Sequence, residues 1–253
     1  MGHGSSKYSK LDENTEAPQL ELDGPDLYEA VGNIDLMQER LNAGADVNKV
    51  YKDKGTALIQ AIRFENYASI EFLLKAGANP NLISGTSCCN ALSSALRTSA
   101  KNSYKITKLL LEYKANPNGP CYLNHTPLHK AVVLTLPTVV ELLLINGANP
   151  NERDYDGMTP LIHAVYKENM SMIQLLLKYG ANIDLRVSPN KRKTAFTYAL
   201  ATGNRAIILL LLNAEKPPDD PAVVVEYLPS GNIFGPPISS KDIVASGTIL
   251  SYD

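Results

Sequence analysis

Gly147-Ala148-Asn149-Pro150-Asn151 restates, residue for residue, the earlier stretch Gly77-Ala78-Asn79-Pro80-Asn81. Three variants complete the set: Gly44-Ala45-Asp46-Val47-Asn48, Lys114-Ala115-Asn116-Pro117-Asn118 and Gly180-Ala181-Asn182-Ile183-Asp184. Their first residues stand at 44, 77, 114, 147 and 180, so the steps are 33, 37, 33 and 33 residues. A fixed period of this size marks one small unit stacked on copies of itself. Such a unit buries its apolar face only against its neighbours, and the stack presents an extended surface rather than an enclosed catalytic pocket.

Within one period the same events recur. In the unit Asp156-Gly157-Met158-Thr159-Pro160-Leu161-Ile162-His163-Ala164, Thr159 is placed to cap a helix. Pro160 follows in its first turn, where a missing N–H costs nothing. Leu161, Ala164 and Val165 share one face at helical spacing. After the polar break Lys167-Glu168-Asn169, the run Leu175 to Leu177 gives a second helix buried on more than one side. Gly180 ends it in the left-handed conformation of a helix terminus. The unit is two short antiparallel helices, joined to the next pair by a hairpin rich in Gly, Asn and Asp.

The bulk properties bound the function. The chain has 253 residues, a formal net charge of −2 and three cysteines (Cys88, Cys89 and Cys121). A near-balanced charge argues against a dedicated nucleic-acid binder. Nothing approaches the roughly 20 apolar residues of a membrane span, and the polar start carries no secretory core. Three cysteines make no paired framework and fit a reducing, cytoplasmic setting. The nucleus is the second placement, and a host cytosol applies if the chain is an effector.

These residues carry a specific resemblance to the ankyrin repeat family. The family's Thr-Pro-Leu-His-x-Ala signature stands unaltered at Thr126-Pro127-Leu128-His129-Lys130-Ala131. Near copies run from Thr159, Thr56 (Thr56-Ala57-Leu58-Ile59-Gln60-Ala61) and Thr194, and the most degenerate runs from Asn90, which can still cap. The resemblance implies an all-α fold, an ankyrin-repeat solenoid of helix-turn-helix pairs with β-hairpin fingers. It implies six repeats over 24–216, between a leader at 1–23 and a Pro-rich tail at 217–253. Repeat one, near Leu27 to Gly44, is short, as a terminal cap. Arg97 to Ser103 carries extra residues, expected to lengthen the turn between the helices of repeat three. The last finger is basic through Arg186, Lys191, Arg192 and Lys193.

The resemblance also says where a ligand would sit, since ankyrin proteins commonly bind it on the finger tips and the concave face of the first helices. By position the tips include Lys52, Asp53, Tyr122, Leu123, Arg153, Tyr155 and Asp156. The concave positions are Arg63-Phe64, Arg97-Thr98, Val133-Leu134, Tyr166-Lys167 and Ala201-Thr202. Aromatic, Leu and Arg residues in one place have the composition of a binding hot spot, with Tyr122, Leu134, Tyr155 and Tyr166 at its centre. His129 and His163 fall at positions that the family uses for backbone hydrogen bonds.

Other signals carry less. Cys121, His125 and His129 are spaced by four, but the first two fall in a finger and the third in a helix, so helical spacing makes no metal site of them. No phosphate loop or nucleophile motif is present, so neither a catalytic residue nor a cofactor is assigned. Gly2 fits the loose N-myristoylation pattern with Ser6, although His3 is a poor neighbour for it. Asn48, in Leu-Asn-Ala-Gly-Ala-Asp-Val-Asn, resembles the finger sites that asparaginyl hydroxylases modify. The tail mixes prolines with Val223-Val224-Val225 and Ile233-Phe234; it either caps repeat six or serves as a linear motif.

The expected function is non-enzymatic: a monomeric module that binds another protein as adaptor, scaffold or inhibitor. The alternatives are an acylated regulator at a membrane, or a bacterial or viral effector that binds a host protein.

Overall fold

A computed structural model describes residues 26–52, 54–83, 90–119, 125–187 and 193–214. The leader and tail lie outside these residues, as do Asp53, the three cysteines, Lys191 and Arg192.

The described residues form eleven helices. A single helix, α1 (Ile34–Asn42), leads five pairs. The pairs are α2 (Ala57–Arg63) with α3 (Tyr67–Lys75), α4 (Ala91–Ala95) with α5 (Ala100–Glu112), α6 (Pro127–Val133) with α7 (Pro137–Ile145), α8 (Pro160–Tyr166) with α9 (Met170–Lys178), and α10 (Ala195–Thr202) with α11 (Arg205–Ala214). The first helices α2, α4, α6, α8 and α10 pack in succession, while α1 packs on α3, α5 on α7 and α7 on α9. Side chains start the first helices as the sequence predicts. Thr56, Asn90, Thr126, Thr159 and Thr194 each accept a hydrogen bond from the backbone N–H three residues on. Each such cap is worth about 1 kcal/mol.

The repeats depart from a uniform unit in three places, the second of them against expectation. Repeat one has turns at Leu27–Gly32 in place of a first helix, though Leu27 and Ala30 are still buried there. The extra residues of repeat three do not loosen its turn: α5 has 13 residues where α3, α7 and α9 have 9, so the insertion is absorbed as one more helical turn. Among the described residues the fingers are built mainly of turns, with one β-bridge between Tyr51 and Gly55 and a backbone bond from the Val187 N–H to the Lys193 carbonyl (2.9 Å).

The recurring five-residue phrase has a division of labour. Its first Asn or Asp side chain accepts the N–H two residues on, as in Asn79 to Asn81 and Asn149 to Asn151 (both 2.9 Å), an Asx turn that opens the finger. The second Asn reaches the next repeat. Asn118 accepts from the Asn149 N–H (2.8 Å) and donates to the Gly147 carbonyl (2.9 Å). Asn48, Asn81 and Asn151 make the same pair of hydrogen bonds to their successors. The period is thus stitched at its own boundary. Gly180 has φ +82, while Lys114 occupies the equivalent place at φ +65.

The core falls into two clusters. One gathers Leu27, Met37, Leu58, Ile62, Ile70, Leu73, Leu92, Ile106 and Leu110; the other gathers Leu128, Val140, Leu143, Leu161, Ile173, Leu176 and Ile207. Repeat three lies at the seam and is polar inside, with Ser93, Ser94, Ser103 and Thr107 all buried. Among the described residues the Ser103 and Thr107 hydroxyls have no hydrogen-bond partner. A buried unsatisfied hydroxyl costs about 1–3 kcal/mol. Thr107→Val, which keeps the shape and removes the hydroxyl, is therefore expected to stabilise the array by about 1 kcal/mol, read as a raised midpoint in urea.

Candidate functional site

The first helices all end on one side, and the residues expected to bind lie at those ends. Phe64, Leu134 and Lys167 are the C-caps of α2, α6 and α8, and Arg63, Val133 and Tyr166 are the residues before them. Because these helices stack, their ends form a row. Phe64 and Tyr166 are each 65% exposed and Leu134 45%. Val133 is half-buried, and Arg63, Arg97 and Lys167 are exposed. The turn after each end is held by a left-handed residue, Glu65 (φ +54), Thr135 (φ +57) or Glu168 (φ +52). Glu65 also carries the row into the next repeat: its carboxylate accepts the Ser99 N–H (2.8 Å) and the Ser99 hydroxyl (3.1 Å), and bonds the Asn102 amide. Those bonds, led by the Ser99 N–H, hold its carboxyl below the usual glutamate value.

At the fingers, Tyr155 is 78% exposed, and Lys52, Arg153 and Asp156 are exposed. Tyr122 and Leu123 lie outside the described residues, as does Gly2. Asn48 is described, and both ends of its amide are used in the stitch to Gly77 and Asn79.

The two histidines expected to do similar work do not. His129, fully buried, follows its cap Thr126 by three residues; Nδ1 accepts the Thr126 N–H (3.2 Å), and Nε2 donates to the Met158 carbonyl of the next repeat (3.1 Å). In the next unit the residue three after Thr159 is Ile162, buried at 1%. His163 is one place further on, at the position of Lys130, and its Nε2 bonds the Asp154 carboxylate at 2.7 Å instead of a backbone group. His125 Nε2 lies 3.2 Å from the same oxygen, Oδ2. Burial pushes the Asp154 carboxyl up, but the His163 imidazole and the Met158 N–H outweigh it and hold the group below its ordinary value. Sequence spacing could not find this cluster, because its three members come from two fingers and a helix.

Burial drives His129 down to about 4. The unfolded chain takes up that proton near pH 6.5 and the folded chain does not, so stability falls as pH drops from 6.5 toward 4. The loss over that range is about 3 kcal/mol. Urea midpoints measured from pH 7 to 4.5 should fall more steeply for the wild type than for His129→Gln.

A second exposed face also escaped the sequence reading. Two shallow grooves open on the second-helix side, one lined by Tyr67, Tyr104, Lys108 and Leu109 and the other by Tyr104, Thr138, Leu142 and Ile145.

Stacked helix pairs joined by finger turns, with exposed side chains at one set of helix ends, define an interaction module of the repeat-solenoid class. The family pattern described as "Ankyrin repeats (3 copies)" matches residues 82–154 and 128–220, and "Ankyrin repeat" matches 53–84. The chain belongs to the ankyrin repeat family, whose repeats bind other proteins. It is 33% identical, over 43% of its length, to the ankyrin repeat, SAM and basic leucine zipper domain-containing protein 1 of Carollia perspicillata, of which it covers 23%. It is 38% identical over 40% of its length to a putative ankyrin repeat protein of fowlpox virus, covering 29% of that protein. To the phosphocholine transferase AnkX of Legionella pneumophila it is 29% identical over 53% of its length, covering 14% of that enzyme. The chain thus spans less than a third of each of these relatives. No helix among the described residues is long and apolar enough to cross a membrane.

Proposed function

We propose that the row of first-helix ends and the finger tips binds another protein, and that the chain works without catalysis as an adaptor, scaffold or inhibitor. The observation that carries this reading is the exposure of Phe64, Leu134, Tyr155 and Tyr166, with Arg63, Arg97 and Lys167 among them. Exposed aromatic anchors flanked by Arg supply most of the energy of a typical interface. Phe64, Tyr155 and Tyr166 keep most of their surface in solvent and Leu134 about half, while Arg63 also donates to the Lys54 carbonyl (3.1 Å). In this reading Val133 belongs to the helix-end row, and Lys52 and Arg153 to the finger tips.

The test is affinity capture with wild-type protein and with a variant carrying Phe64→Ala, Leu134→Ala, Tyr155→Ala and Tyr166→Ala. A partner held by the wild type should be lost from the variant, with helical circular dichroism unchanged; equal capture by both would overturn the choice of face. A second reading is favoured by the exposure of Tyr67 (44%), Tyr104 (39%) and Ile145 (66%) on the second-helix side, which would then be the docking surface. The similarity to a poxvirus protein and to a Legionella enzyme supports an effector that acts on a host protein as the biological setting for either face.

A further inference from the structure

We infer that His125, Asp154 and His163 form a binding site for a divalent transition-metal ion of the zinc type, bridging the fingers of repeats four and five. Their donor atoms all lie within 4.8 Å of one another. His163 Nε2 and His125 Nε2 stand 2.7 and 3.2 Å from the same carboxylate oxygen, Asp154 Oδ2. Zinc bound tetrahedrally at about 2.0–2.2 Å from each donor sets its ligands about 3.3 Å apart. Only small displacements are therefore needed to seat an ion among the three.

The surroundings fit the assignment. The Asp154 side chain is 1% exposed, and the imidazoles are 16% and 31% exposed, so the carboxylate anchors the inner side and His125 faces the entrance. The other carboxylate oxygen, Oδ1, is fixed by the Met158 N–H at 2.9 Å, which orients the group. That support resembles the outer hydrogen bonds that hold metal ligands in place. His129 packs its ring against both imidazoles, at 5.8 and 5.9 Å between centroids, and closes the back of the cluster. A buried carboxylate needs a compensating positive charge. The two imidazole nitrogens turned on that single oxygen make an N,N,O donor set. Such a set suits zinc and its neighbours rather than calcium or magnesium.

Binding here would lock one finger to the next and fix the loop that carries Tyr155. It does not depend on which face meets a partner protein. The test is calorimetric titration of the full chain with Zn²⁺ alone, beside thermal melts with and without the ion. The expected result is saturable 1:1 binding in the micromolar range and a melting temperature raised by several degrees. Both should weaken at least tenfold, or disappear, in His163→Gln and in His125→Gln. His125 lies in the partly exposed finger, so His125→Gln keeps the fold even if His163→Gln does not. A Cys88→Ser/Cys89→Ser variant should bind as the wild type does. No 1:1 binding, or binding that survives both histidine substitutions, would overturn the site.

Discussion

Leu143→Asp is expected to abolish the folded structure of the second half of the array, with loss of most helical signal from α6 onward. Leu143 lies in α7 with no exposed surface, in the cluster shared by Leu128, Leu161, Ile173 and Leu176. Truncating a buried Leu costs about 2–5 kcal/mol. The aspartate adds the penalty of a buried charge with no partner, which brings the total to the scale of a whole domain's stability, about 5–15 kcal/mol. No single repeat can refold around the defect, because each buries its leucines against the next. Far-UV circular dichroism and limited proteolysis should show protection confined to the first cluster, up to repeat three. A melt indistinguishable from wild type would contradict the packing described above.

Gly157→Ala is expected to cost about 2–4 kcal/mol, although the change is one methyl group on a half-buried finger turn. Gly157 turns the finger of repeat five at φ +77, where an L side chain is strained, and a Cβ there would stand 1.8 Å from the Val187 carbonyl oxygen. That oxygen is backbone, in the following finger, so the two fingers would have to separate. Ala at an ordinary exposed turn changes stability by less than about 0.5 kcal/mol. A thermal shift of several degrees for Gly157→Ala, against no shift for a substitution at Asp156, would confirm the close approach.

The fold was largely legible because a 33-residue period leaves little freedom: caps at Thr126 and Thr159, leucines at Leu143 and Leu176, and Gly180 at a helix end all take the predicted places. The insertion near Ser99 was visible as an irregularity, but its outcome was not. Residues 100–104 carry no breaker, and helix propagation costs less than ordering a longer turn. The exposed members of the proposed binding face could be named because helix-end positions follow from the repeat. The His125–Asp154–His163 cluster could not, since Asp154 and His163 are brought to His125 only by the stacking of one finger on another. The same holds for the seam at Thr107, whose burial depends on how the long α5 lies against its neighbours.

The most direct test of the interaction face is site-specific photo-crosslinking in the full chain, with a photoreactive residue replacing Tyr166 in one variant and Ile145 in another. The two side chains are almost equally exposed, at 65% and 66%, and sit at the ends of a first and a second helix. The protein captured by the wild type should form a covalent adduct from position 166 and none from 145. Adducts from 145 alone would contradict the assignment and move the interface to the groove beside Tyr104.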